Sequence, residues 1–233
     1  AYEIGVRLVG SEMCIRDRDM IGRSESKGVE HATRFLLSAQ KLLRIGGFDP
    51  VIDSVTKHFY DKGWSGVNVE PIERFYEKFT NDRPRDWNIN KGIGSEKGEV
   101  EFHEWGDSGM STIREGFDQS AMRKLGFERV TKKITLTTLS DITKQLPAGE
   151  IEFLKIDVEG AERDVLLGAE WRHFRPRVVL IEAVKPKLPG CDLYSYEPTW
   201  NEWEDILFKN SYEFALFDGL NRFYPSVVVY QAW

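Results

Sequence analysis

Two acids at the start of a predicted helix are the first candidates for chemistry. Asp157 and Glu159 lie in the stretch FLKIDVEGAERDVL, residues 153–166, where an apolar strand passes into a helix that opens at Gly160. In an open sheet of parallel strands, ligands bind outside the carboxyl ends of the strands. Both carboxylates are therefore predicted to face a ligand crevice. Glu159 has an alternative interpretation, as an acid that stabilises the helix N-terminus.

The candidate general bases for removing a proton from a hydroxyl are Asp157, Glu159, His103 and, less favoured, Glu182. Histidine titrates near neutral pH, but His103 lies on the alternating strand GEVEFHEW, where a solvent-facing side chain is an equal alternative. Asp157, Glu159 and Glu182 also have the residue types of a divalent-cation site. Since no His or Asn pattern supports such a site, we predict no metal. Strand alternation places Lys155 on the side of the two acids, where its stem is predicted to pass a covering helix.

A glycine turn followed by a helix predicts a cofactor site. In LLRIGGFDP, Gly46, Gly47 and Asp49 follow a predicted strand, and glycine lets the backbone approach a ligand closely. Glu70 ends the next predicted strand, near the spacing of about 20 residues at which an acid binds ribose hydroxyls. These features predict a nucleoside-bearing cofactor. Because no GxGxxG follows the strand, S-adenosylmethionine is favoured over NAD.

A loop of small residues is the next candidate binding segment. GDSGMSTI, residues 106–113, carries the hydroxyls of Ser111 and Thr112, which suit hydrogen bonds to cofactor or substrate. An ordinary loop is the equal alternative. The later stretch FDGLNRFY is predicted to form a hairpin turn that closes over an acceptor, although turn chemistry alone also explains its Asp218 and Asn221.

The elements that must position these residues alternate between short apolar strands and helical patterns. Such alternation predicts a mostly parallel sheet covered by helices on both faces. We expect one such sheet, with a hairpin from residues 212–230 at its edge, built from strands at 41–45, 65–69, 86–90, 151–157 and 177–183.

Length and composition set the broad class. The 233 residues predict a single domain over 24–233, and the net charge of −6 argues against nucleic-acid binding. The apolar runs are too short for membrane insertion. Two cysteines, Cys14 and Cys191, make a disulfide framework unexpected, so we expect a cytoplasmic protein.

Residues 1–23 fit this pattern poorly. RLVGSEMCIRDRDM has neither helical nor strand periodicity, and it resembles translated sequencing-adapter text. We therefore expect residues 1–23 to lie outside the fold as a non-native segment. A disordered native tail is the alternative.

Several blocks together resemble the FkbM-type S-adenosylmethionine-dependent methyltransferases. FLKIDVEGAERDVLLGA is similar to the family's signature segment. Three further blocks follow the family's order: DPVIDSVTKHFYDKGWSGVNVEP, GMSTI and FDGLNRFY. The resemblance covers roughly residues 44 to 225. It implies a Rossmann-like seven-stranded methyltransferase sheet, mostly parallel with an antiparallel C-terminal hairpin strand. It also implies methyl transfer from S-adenosylmethionine, commonly to an oxygen of a saccharide or polyketide-like acceptor.

One block departs from the family pattern. Arg44 stands where the family has an aspartate, and Phe48 where it has an asparagine. Both positions normally shape the methionine end of the cofactor pocket, so cofactor affinity is in doubt. A degenerate, non-catalytic binding domain is therefore the main alternative function, and a nicotinamide oxidoreductase is the weaker one. The sequence predicts a small-molecule or glycan acceptor but does not identify it, and it leaves the oligomeric state open.

Overall fold

The computed structural model describes most of the chain from residue 55 onward and one short segment before it. The described residues are 10–15, 55–106, 111–113, 123, 126–146, 151–185 and 197–227. They form a mixed α/β structure, as predicted. The prediction of a mostly parallel sheet is wrong, because only two of the six strand pairings that the structure describes in the seven-stranded sheet are parallel. None of the described helices combines the length and apolar character needed to cross a membrane.

Ten strands and five α-helices make up the described structure. The strands are β1 (Gly10–Ile15), β2 (Ser65–Val69), β3 (Trp87–Ile89), β4 (Gly92–Ile93), β5 (Gly98–Glu104), β6 (Val130–Thr137), β7 (Ile151–Asp157), β8 (Val178–Glu182), β9 (Leu216–Phe217) and β10 (Asn221–Pro225). The helices are α1 (Val55–Asp61), α2 (Glu73–Asp82), α3 (Leu139–Thr143), α4 (Glu162–Leu167) and α5 (Glu204–Lys209), with a 3₁₀ turn at Trp200–Glu202.

The larger sheet has seven strands in the order β3-β2-β1-β7-β8-β10-β9. β2 pairs parallel with β3, and β7 pairs parallel with β8. β1 is antiparallel to both β2 and β7, so those two strands run in the same direction. The last two strands form the expected hairpin at the edge, with β10 antiparallel to β8 and to β9. The carboxyl ends of β2, β7 and β8 therefore meet at one edge of the sheet.

The place of β1 differs from the sequence-based expectation. Residues 1–23 were expected to lie outside the fold, yet residues 10–15 pair with β2 on one side and β7 on the other. The predicted first strand, residues 41–45, lies outside the described residues. A strand between two others is hydrogen-bonded along both edges. Backbone pairing with β2 and β7 therefore explains why residues 10–15 form a strand although their sequence lacks an apolar period.

A second, three-stranded sheet was not part of the predicted architecture. Its order is β4-β6-β5, with β5 and β6 antiparallel over their length. The alternating pattern of β5 and β6 indicated strands but not their partners. One face of this sheet packs Phe102 and Ile134 against Phe75 and Phe79 of α2, which places it beside the larger sheet.

The two faces of β7 have different surroundings. Leu154 and Ile156 belong to the main apolar core, which includes Val165 of α4 and Ile206 of α5. Phe153 belongs to a smaller cluster with Phe59 of α1. Since side chains alternate along a strand, Lys155 and Asp157 project from the Phe153 side.

Candidate functional site at the carboxyl edge of the sheet

Three buried carboxylates meet where β7 and β8 end. Asp157, Glu159 and Glu182 are 4, 4 and 2% exposed, and one oxygen from each lies within 4.8 Å of the others. Ile156 pairs with Ile181, so the next residues, Asp157 and Glu182, end neighbouring parallel strands side by side. The structure therefore brings the two acids of the signature stretch together and adds Glu182 to them.

The turn after β7 has a backbone conformation that is uncommon for a residue with a side chain. Glu159 has a φ of 50° and Gly160 a φ of 97°. For a residue other than glycine, the left-handed conformation costs roughly 1–2 kcal/mol. The Thr112 hydroxyl donates a hydrogen bond of 2.8 Å to the Glu159 carbonyl, which holds this turn against the loop after β5. Strain held in place at the end of a strand is typical of functional sites.

Lys155 contacts Asp157 directly. Its Nζ donates to Asp157 Oδ2 at 3.1 Å, and the two side chains are 12 and 6% exposed. The lysine was predicted on the same side as the acids, passing a covering helix. Instead of reaching solvent, the ammonium ends in an ion pair with Asp157. Asp157 Oδ1 is buried and has no hydrogen-bond partner among the described residues.

Glu162 is a further acid of this region that the sequence did not single out. It is 3% exposed, and its Oε1 accepts a hydrogen bond from the Gly160 amide at 3.0 Å. Burial, together with the charge of Asp157, raises the pKa of Glu162 to about 7, although the backbone hydrogen bonds act in the opposite direction. A pKa raised by burial and a neighbouring like charge is common at functional sites.

Glu70 follows β2 at the same edge and is 1% exposed. Its Oε1 accepts a hydrogen bond of 2.7 Å from the Ile72 amide, just before α2. The Asn90 amide group donates to the Glu70 carbonyl at 3.2 Å. These contacts fix the backbone and one carboxylate oxygen. A carboxylate accepts hydrogen bonds at both oxygens, which is the chemistry that ribose hydroxyls require.

An apolar cavity lies between Glu70 and the turn after β7. It is small, with about 20 Å³ accessible to water, which is room for about one water molecule. It is lined mainly by apolar side chains from both sheets: Val69, Pro71, Ile93, Phe102, Ile113, Ile134, Val158 and Ala161. Gly92 also lines it, where a Cβ atom would lie 2.6 Å from Leu136 and 2.7 Å from Ile134. A side chain at position 92 would therefore have to displace the ends of the Leu136 and Ile134 side chains, which form this wall with Gly92.

His103 is buried rather than solvent-facing. It is 4% exposed, and its Nδ1 lies 3.1 Å from the Thr131 hydroxyl. The His103 amide donates to the Thr112 carbonyl at 2.9 Å, and the Thr112 amide donates to the His103 carbonyl at 3.1 Å. Strand alternation directs its ring away from the cavity that the neighbouring Phe102 lines. His103 therefore packs within the second sheet, and the structure does not bring it into the carboxylate cluster.

Ser111 has a supporting contact. Its side chain is fully buried, and its hydroxyl accepts a hydrogen bond of 3.1 Å from the Trp105 amide. This contact closes the loop after β5 and positions Thr112 against Glu159. The remaining predicted cofactor residues, Gly46, Gly47 and Asp49, lie outside the described residues, so their roles stay predictions.

The three carboxylates have the ligand types and spacing of a divalent-cation site. Hard cations such as Mg²⁺ prefer such oxygen ligands, yet the Asp157 carboxylate also has the Lys155 ammonium on one oxygen. The sequence-based expectation of no metal stays a prediction.

Comparison with known proteins assigns the chain to a family. The model of the methyltransferase FkbM domain matches residues 44–214, which is more than two thirds of the chain. The match includes β2, β7, β8 and every member of the carboxylate cluster. No curated protein and no solved structure matches the chain. The chain therefore belongs to the FkbM methyltransferase domain family.

Proposed function

We propose that this chain is an S-adenosylmethionine-dependent methyltransferase that methylates a hydroxyl oxygen of a saccharide or similar small acceptor. The family match supports methyl transfer. The observation that carries the proposal is the gathering of the buried acids Glu70, Asp157 and Glu159 at one edge of the sheet. Their sequence neighbours Val69, Pro71 and Val158 line a small apolar cavity. S-adenosylmethionine offers a ribose, an adenine and a cationic centre, which are the groups that an acid, an apolar surface and a carboxylate cluster recognise.

We further propose that the larger sheet is the Rossmann-like methyltransferase sheet. The first five strands of that sheet along the chain are β1, β2, β3, β7 and β8, and they lie side by side in the order β3, β2, β1, β7, β8. Doubly wound nucleotide-binding sheets have the same order, third, second, first, fourth and fifth. The hairpin of β10 and β9 follows at the edge. The order reverses between β1 and β7, so the ligand crevice is expected beside Asp157. The antiparallel direction of β1 departs from that pattern.

The cofactor roles follow from the order of groups along the edge. Glu70 accepts hydrogen bonds from the ribose hydroxyls, and the adenine ring packs on the apolar surface that Val69 and Pro71 form beside it. Asp157 lies on the other side, where its Oδ1 is available to the methionine end or the acceptor. In chemical type, an acid for the ribose and apolar side chains for the adenine are what the cofactor requires.

The cofactor supplies an electrophilic methyl group on a sulfonium sulfur. The chain must align the acceptor oxygen with that methyl group and remove the hydroxyl proton. Asp157 is the proposed base: it would take the hydroxyl proton as the carbon–oxygen bond forms and the carbon–sulfur bond breaks, with the sulfur leaving as a neutral thioether. A carboxylate near a sulfonium stabilises a charge that disappears in the transition state, so it accelerates transfer only if it also orients or deprotonates the acceptor. Glu159 borders the same crevice from the turn.

Titration calorimetry with S-adenosylmethionine and with NAD tests this proposal. We expect heat of binding with S-adenosylmethionine and none with NAD. Transfer of labelled methyl groups to a panel of saccharides then tests the acceptor class. Binding of NAD alone, or of neither compound, would contradict the proposal.

The alternative is a degenerate domain that binds a partner but transfers no methyl group, and Arg44 and Phe48 support it. If these two residues weaken the cofactor site, replacing both together (Arg44→Asp and Phe48→Asn) raises the affinity for S-adenosylmethionine. If the double variant binds no better, the pocket has adapted to Arg44 and Phe48, and the argument for degeneracy fails.

A further inference from the structure

The Lys155–Asp157 ion pair lies in an apolar part of the sheet. Lys155 pairs across β7 and β8 with Leu180, which in turn lies opposite Phe223 of β10. Leu180, Phe223 and Phe153 belong to one buried apolar cluster with Phe59 of α1. On the β8 side the Lys155 stem therefore lies on an apolar surface, where a charge is costly unless it is paired. On the other side, Lys155 pairs across β7 and β1 with Glu12.

This contact gives the two oxygens of Asp157 different surroundings. Oδ2 accepts from the Lys155 ammonium at 3.1 Å, whereas Oδ1 is buried with no hydrogen-bond partner among the described residues. A carboxylate held at one oxygen has its rotation restricted, which fixes the direction of the other oxygen. The contact also places a positive charge beside the carboxylate cluster.

We propose that Lys155 is a positioning residue that holds Asp157 through Oδ2 so that Oδ1 faces the ligand crevice. The inference rests on the proposed function, because it assigns Oδ1 to the cofactor or the acceptor. Lys155 itself is not a catalytic residue. Its effect on ligand binding passes through Asp157.

A double-mutant cycle on S-adenosylmethionine binding tests this inference. The variants are Lys155→Met, Asp157→Asn and the two changes together, with affinities measured by titration calorimetry and folding checked by circular dichroism. Because hydrogen bonds to charged groups are strong, we expect Lys155→Met alone to weaken binding roughly tenfold. In the Asp157→Asn background the same change is expected to alter affinity less than about twofold.

The conservative variant Lys155→Arg keeps a donor and a charge beside Oδ2. We expect it to recover most of the affinity that Lys155→Met loses, which a purely apolar packing role for the lysine stem does not predict. If Lys155→Met does not fold, Lys155→Gln replaces it in the cycle, since it keeps a donor without the charge. Lys132→Met is the matched control, because Lys132 pairs with the buried Glu104 at 2.7 Å in the second sheet.

Three results would overturn the inference: equal losses in both backgrounds, an unchanged affinity of Lys155→Met, or no recovery by Lys155→Arg. Failure of the proposed function has a separate signature, since the unmodified protein would then not bind S-adenosylmethionine at all.

Discussion

Two buried glutamates in neighbouring regions differ in how their charge is balanced. Glu104, in the second sheet, contacts both Arg74 and Lys132, the latter at 2.7 Å. Burial raises the pKa of Glu104, but these two cations outweigh it, so the pKa lies below the ordinary value. Glu162, at the edge of the larger sheet, has the opposite shift: burial and the charge of Asp157 raise its pKa to about 7.

The difference distinguishes an acid that stabilises the fold from an acid in the region that we propose for chemistry. An acid whose partners lower its pKa stabilises the folded state at neutral pH. An acid whose pKa is raised lowers the stability of the folded state at neutral pH, and such acids are common at functional sites. The raised pKa of Glu162 therefore supports the proposal that the region of Asp157, Glu159 and Glu162 is functional, whereas Glu104 connects the second sheet to Arg74 of α2.

The largest effect is expected from Asp157→Asn, which keeps the shape of the side chain and removes its charge. If Asp157 is the base, turnover falls by ~100-fold or more at saturating cofactor. Asp205→Asn is the matched control, because Asp205 forms an exposed pair with Lys209. A loss confined to cofactor affinity would make Asp157 a binding residue, and no change in either quantity would reject both roles.

The next effect is expected from Glu70→Ala, which removes the proposed ribose acceptor. Hydrogen bonds to a charged group contribute about 1.5–3 kcal/mol, so affinity for S-adenosylmethionine should fall roughly tenfold to a hundredfold. Titration calorimetry measures the change, with Glu213→Ala as the control at an exposed glutamate. Unchanged binding would remove Glu70 from the cofactor site.

Glu162→Gln tests the pH dependence of stability. The pKa of Glu162 is about 7 in the folded state and 4.5 ordinarily, so the folded state holds a proton that the unfolded chain releases between these values. Stability therefore falls as pH rises, by about 2 kcal/mol from pH 5 to 7 for this group. Urea unfolding should show that Glu162→Gln removes this part of the decline.

The control for this pH dependence is Glu170→Gln, at a glutamate whose side chain is 48% exposed. It should leave the decline unchanged. A Glu162→Gln variant with the same decline as the unmodified protein would show that Glu162 does not hold the extra proton.

The smallest effect is expected from Glu104→Gln in the second sheet. Arg74 and Lys132 are each about one third exposed, so solvent screens the pairs and the loss of unfolding free energy is about 1 kcal/mol. Because the pKa of Glu104 is lowered, this contribution is lost as pH falls through the folded-state value. Affinity for S-adenosylmethionine should not change. A large loss of affinity would place Glu104 in the functional region and contradict the comparison.

Parts of the fold could be predicted because the sequence carries a local signal for them. The strands β2, β7 and β8, the helix that follows Gly160 and the terminal hairpin have apolar periods and turn residues of their own. The second sheet and β1 depend on which strands pair. Pairing is decided by contacts between distant residues, so local periodicity in β5 and β6 did not indicate it.

The site could be predicted in part for the same reason. Asp157 and Glu159 could be found because a strand end followed by a helix is a local pattern, and parallel strand ends form ligand crevices. The burial of Glu162 and His103 could not be found, since a polar residue on a helix or an alternating strand is ordinarily solvent-facing. The Lys155–Asp157 contact depends on the apolar cluster beneath it, whose members come from four separate elements.

A crystal structure with bound S-adenosylhomocysteine tests most directly whether the edge between Glu70 and Asp157 is the cofactor site. We predict the ribose hydroxyls on Glu70, the adenine on the apolar surface of Val69 and Pro71, and the sulfur on the Asp157 side. A ligand bound elsewhere, or one that leaves both Glu70 and this surface without contact, would contradict the assignment of this edge.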